Sequence, residues 1–229
     1  MSRIEWLSVL VTGALPLVVL AGLVRRDRLR RCWMFPAYLA SVAACNLAVA
    51  AWPERFFTWS TWLAADILQG ALVLFVAAEI TLRAFTTLPR GQRAARLALL
   101  VCLGSAFVVV LNADSRPSPL LSDLASDLAS RLGTARAVAF LGLMAVVLYY
   151  ELPLDDLHAA IVRGLALYSA AVGVGLVAVR DLGWDVRAVV SAALTSGYIL
   201  LLADWTRAAW RDEPQAPAAL RRRLWPWRS

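Results

Sequence analysis

The reading turns on residues 4–31, IEWLSVLVTGALPLVVLAGLV followed at once by RRDRLRR. A helix rises ~1.5 Å per residue, so about 20 apolar residues cross the ~30 Å hydrocarbon core of a bilayer. The first part of this stretch, residues 4–24, has that length and carries a single charge, Glu5. The five arginines after it (Arg25, Arg26, Arg28, Arg30 and Arg31) resist translocation and mark the side on which the run ends as cytoplasmic. A signal peptide is the competing reading, and it needs a basic start and a small-residue cleavage site. Here Arg3 is offset by Glu5 and no such site follows, so the run is expected to be retained as a helix.

Working outward, six more apolar stretches of spanning length follow, roughly 32–52, 60–82, 95–113, 134–151, 159–179 and 187–206. The composition agrees: of 229 residues 61% are apolar and 17% charged, with mean hydropathy +0.66. Soluble domains run nearer ~45–50% and ~25%. Period-2 alternation is absent, which excludes a transmembrane β-barrel. The expected fold is therefore all-α, a polytopic membrane protein with seven transmembrane helices. Residues 1–206 form its one transmembrane domain and 207–229 a basic, Trp-containing tail.

Orientation follows from arginine placement. The loops after the first, third and fifth stretches, with the tail, hold 16 of the 23 arginines, and the other side holds 7. The N-terminus is thus expected outside and the C-terminus in the cytoplasm. Trp6, Trp52, Trp59, Trp62 and Trp184 fall at the outer ends of stretches, and Trp33, Trp205 and Trp210 at inner ends, the levels that indole rings favour. Trp225 and Trp227 alternate with arginines in the tail, either as a lipid-surface anchor or as part of a disordered basic end. Every basic residue is Arg and none is Lys. That removes Schiff-base chemistry and P-loops, which need the lysine amine. An Arg- and Ala-rich chain without Lys also points to a GC-rich bacterial genome, and hence to a bacterial inner membrane.

Residues 113–133 hold the tandem LSDLASDLASRL, with Leu121, Leu124, Leu128 and Leu132 at helical spacing and Asp123 and Asp127 on another face. This reads as a short amphipathic helix on the outer surface, or as a lead-in to the fifth span. Cys32, Cys45 and Cys102 have neither disulfide nor metal-ligand spacing. One histidine, His158, builds no His-based metal site alone. No catalytic motif, metal site or cofactor is expected. The one arguable catalytic set, Glu151, Asp155, Asp156 and His158, is explained more simply by helix capping. Nucleic acid is not an expected partner, because topology accounts for the arginine excess.

An ionisable residue inside a span costs ~2.5–3.5 kcal/mol at the helix centre on insertion scales, so it needs a reason. Asp66 has no Arg three or four residues away, and Gln69 shares its face. Asn46 of the second span and Asn112 of the fourth reach similar depth. These four residues are the candidate ligand-binding set, with Asn46 expected beside Asp66 in a pocket open to the outside; interhelical hydrogen bonding is the alternative. Glu79 and Arg83, four apart, are expected to form an ion pair at the membrane boundary. Glu79, Glu151 and Asp204 each end a span where the helix dipole disfavours an acid, so each calls for a cation nearby.

Residues 52–90, with an acid after Trp62, an apolar stretch, then Glu79 and Phe85, resemble a pattern in uncharacterised bacterial seven-helix integral membrane proteins. The resemblance implies the topology and no activity. Residues 59–85 and 184–210 also align without gaps, placing Glu79 on Asp204. The third and seventh spans are the pair that a 3+1+3 parallel repeat matches, the layout of SWEET carriers. The functional expectation is a non-enzymatic membrane sensor or binding subunit for an unknown small molecule, held in the lipid bilayer and acting with a cytoplasmic or membrane protein partner. A small-solute carrier is the alternative, and an intramembrane enzyme the third reading.

Overall fold

The computed structural model describes residues 3–29, 32–87, 93–111, 121–150, 152 and 154–211. Helix takes 92% of these residues, and no strand occurs among them. The elements are α1 (Arg3–Arg25), α2 (Met34–Ala51), the one-turn α3 (Pro53–Phe56), α4 (Trp59–Thr87), α5 (Arg93–Leu111), α6 (Leu121–Tyr149), α7 (Asp156–Leu182) and α8 (Arg187–Trp210). All except α3 are long and apolar enough to cross a membrane, seven in number.

The helices close into a ring. α1 packs on α2, α2 on α4, α4 on α6, α6 on α7, α7 on α8, and α8 back on α1. α5 stands outside this ring, packed mainly along α6. Each ring helix turns a covered stripe inward, such as Phe35, Leu39 and Val42 on α2 or Val73, Ala77, Ile80 and Ala84 on α4. Spacings of three and four keep such residues on one helical face. Side chains on the outward faces, among them Leu82, Leu100, Leu167 and Leu200, are large, apolar and exposed, the surface a bilayer would cover.

Local chemistry sets the ends. Asp155 accepts from the backbone N–H of His158 at 2.8 Å and so caps α7. Gly183, at φ +87°, ends the same helix, with its N–H on the carbonyl of Val179. α7 and α8 approach closely at Gly164, where a Cβ would lie 2.0 Å from Leu201 Cδ1 and 2.9 Å from Trp205 Nε1.

Three readings change. The LSDLASDLASRL segment is the lead-in to the fifth span and not a separate surface helix: its helical turns continue without a break into α6, since no Gly or Pro interrupts the run from Leu121 onward until Gly133, which stays helical. Trp205 stands near the end of its helix but does not face outward. It is fully buried in the ring and donates its indole N–H to the carbonyl of Ala160 at 3.2 Å. Finally, α8 runs through Trp210, so the first residues of the expected tail are helical. The remainder, 212–229, with Trp225 and Trp227, lies outside the described residues.

Candidate functional site

The end of the bundle where α1 begins is here the near end, and the end where α1 finishes is the far end. About two turns into α4 from the near end, Asp66 continues the covered stripe of Leu63, Val73 and Ala77. Its Oδ1 accepts from Nη2 of Arg136, on α6, at 3.3 Å. The side chains are 26% and 24% exposed, respectively. One glycine makes room for the contact. At Gly70 a Cβ would meet Leu132 Cβ at 3.1 Å, so its absence lets α4 and α6 come together.

The pair faces the ring interior. An aromatic layer lies between the pair and the far end. The Tyr38 and Tyr198 hydroxyls are 3.1 Å apart, and the Tyr168 and Tyr198 rings are 5.3 Å between centroids. Trp205 meets Phe35 edge-on at 4.9 Å and Tyr38 at 6.3 Å. Such edge-on geometry sets the positive rim of one ring against the negative face of the other.

The other residues of the expected set are placed as follows. Asn46 donates from Nδ2 to Thr12 Oγ1 at 3.3 Å, across the α1–α2 contact. At the adjoining Gly13 a Cβ would lie 3.2 Å from Asn46 Cβ, so this face of α2 is held close to α1. Gln69 is half-buried on α4, and Asn112 lies outside the described residues. The residue that sequence reasoning missed is Arg136. A signal was present, since an acid within a span needs a cation at similar depth and Arg136 stands inside the fifth apolar stretch. Tyr38, Tyr168 and Tyr198 also stood well inside spans, where a hydroxyl calls for a partner.

Glu79 has a wider set of partners than Arg83. Arg83 Nη2 lies 3.2 Å from Oε1. The same carboxylate accepts the backbone N–H of Trp33 on Oε1 and of Met34 on Oε2, both at 2.9 Å. A helix leaves its first N–H groups without intrahelical partners, and here an acid from α4 supplies them for α2. Asp204 of α8 meets Arg163 of α7 at 2.7 Å, while Glu151 lies outside the described residues. In the remaining acidic cluster Asp155 Oδ1 is 2.6 Å from His158 Nδ1. Among the described residues no three of His, Cys, Asp and Glu gather as a metal site.

At the far end the loop after α1 grips the end of α8. Arg28 is buried and donates to the carbonyls of Ala208 at 2.8 Å and Arg211 at 2.9 Å. Arg26 donates to the carbonyl of Trp210 at 3.2 Å, and Trp210 Nε1 to that of Val18 at 3.1 Å. Arginines read as topology signals therefore also satisfy carbonyls that a helix C-terminus leaves open.

No family model, no curated protein and no solved structure matches this chain.

Proposed function

We propose that this chain is a multi-pass protein of a bacterial inner membrane that binds a small polar solute without transforming it, as a sensor or binding subunit acting with a partner protein. Its near end faces outside and its far end the cytoplasm, an orientation supported by the 16 arginines that the sequence gives to the segments after the first, third and fifth apolar stretches and to the tail. One observation carries the reading: Asp66 and Arg136 meet at 3.3 Å inside the ring. Charges within spanning helices are costly, pair with one another, and mark the routes and sites of polar ligands.

A second reading, a small-solute carrier, is favoured by the helix arrangement. With α5 outside, the ring divides into α1–α2–α4 and α6–α7–α8, two runs of three with matching directions. Carriers built from repeats bind at the interface between them, and Asp66–Arg136 bridges the last helix of one run to the first of the next. Glu79 and Asp204, matched in the ungapped alignment, each bond to the middle helix of their own half, α2 and α7.

The test is thermal unfolding of the purified protein in nanodiscs with sugars, polyols, amino acids, small carboxylates and amines. Stabilisation by one of these, lost in the double variant Asp66→Asn/Arg136→Gln, is the expected result. No stabilisation, or stabilisation that the double variant keeps, removes the reading. Uptake of the stabilising solute into sealed proteoliposomes would identify a carrier, and binding without uptake a sensor.

A further inference from the structure

Resting on that reading of the site, we infer that its solute is a short zwitterion, a molecule carrying one carboxylate and one ammonium a few bonds apart. The Asp66–Arg136 pair is loose. Charge-assisted N–H···O bonds are commonly ~2.7–2.9 Å and arginine–carboxylate pairs are frequently two-pronged. Here a single Nη2–Oδ1 contact spans 3.3 Å. Among the described residues, no further hydrogen bond is formed by Asp66 Oδ2 or by the other guanidinium N–H groups of Arg136. An arginine has five donors and an ionised aspartate about four acceptor positions. Both groups therefore retain most of their bonding capacity, and each is about a quarter exposed.

The class of solute follows from charge balance. A guest entering between the two side chains separates them, and in a low-dielectric interior each separated charge must find a new counter-charge. An anion satisfies Arg136 and leaves Asp66 unpaired. A cation does the reverse, and a neutral molecule compensates neither charge. A zwitterion pairs its carboxylate with the Arg136 guanidinium and its ammonium with the Asp66 carboxylate, and the site stays neutral. The tyrosine layer beneath supplies ring faces and hydroxyls but no charge, so it adds no bias toward either ion alone.

Isothermal titration of the nanodisc-embedded protein tests this with alanine and its two halves, propionate and ethylammonium. Alanine is expected to bind, with each half weaker by about thirtyfold or more, the scale of leaving one charge of a buried pair uncompensated. Asp66→Asn should lose the preference for alanine over propionate, and Arg136→Gln the preference over ethylammonium. Should either single variant fail to fold, Asp66→Asn/Arg136→Gln, which leaves no lone charge, is expected to fold and to bind none of the three. Propionate or ethylammonium binding as tightly as alanine would overturn the zwitterion while leaving the solute site in place. Absence of alanine binding, or its survival in the double variant, also overturns it. Failure of the wider solute panel would instead remove the site itself.

Discussion

Glu79 serves two elements with one carboxylate, and its substitution should show this. Loss of an N-cap acceptor costs about 0.5–2 kcal/mol, whereas a boundary ion pair is worth about 0–1 kcal/mol. Glu79→Ala strands the Trp33 and Met34 N–H groups, so it should lower the thermal midpoint clearly more than Arg83→Met. Equal effects would mean that the α2 cap contributes nothing. Residues of this kind were half legible in the sequence. The spacing of Glu79 and Arg83 is local, so an i,i+4 pair can be read directly. The cap on α2 joins residues 45 and 46 positions apart, and only packing of α2 against α4 brings them together. Asp66 marks the same limit: its need for a partner was visible, but Arg136, 70 positions away, required knowledge that α4 lies beside α6. Asn46 was placed by depth alone, and depth did not reveal its bond to Thr12 across the α1–α2 contact.

Helices pack through their smallest residues here, and glycines therefore sort into two kinds. Gly164 is filled by Leu201 and Trp205, with clearances of 2.0 and 2.9 Å for an added Cβ, while Gly104 on α5 has nothing within 4 Å. Gly164→Val should overpack the α7–α8 contact, at about 1–3 kcal/mol or more. Gly104→Ala should be neutral or stabilising by up to about 1 kcal/mol, since alanine loses less backbone entropy than glycine in a helix. Fluorescence-detected gel filtration of heated samples measures both, and a Gly164→Val protein as heat-resistant as Gly104→Ala would refute the close approach. At this scale the sequence was read well where hydrophobic length decided and less well where continuity did. All seven long helices coincide with the apolar stretches. The LSDLASDLASRL turns, being amphipathic, looked separable from α6, yet nothing in their chemistry breaks the helix.

Across the whole molecule, closure of the ring is what gives these contacts a purpose. Two seams join α1–α2–α4 to α6–α7–α8. The α8–α1 seam is held at the far end by Arg28, which donates to two carbonyls near the end of α8. The α4–α6 seam carries Asp66 and Arg136 toward the near end. Hydropathy displays the spans but is silent on which helices adjoin, so the ring was not visible beforehand, and only the 3+1+3 alternative set the fourth span, α5, apart. The central claim is that Asp66 and Arg136 are mutual partners across that seam. The direct measurement is a charge-exchange cycle, comparing thermal midpoints of Asp66→Arg, Arg136→Asp and the exchanged double variant in nanodiscs. Each single variant sets two like charges against each other, and with both positions about a quarter exposed the loss should fall between the scale of an exposed pair, about 0–1 kcal/mol, and that of a broken buried pair, about 3–5 kcal/mol. The account predicts that the exchanged protein recovers most of the loss. A double variant as unstable as the sum of the singles would contradict it.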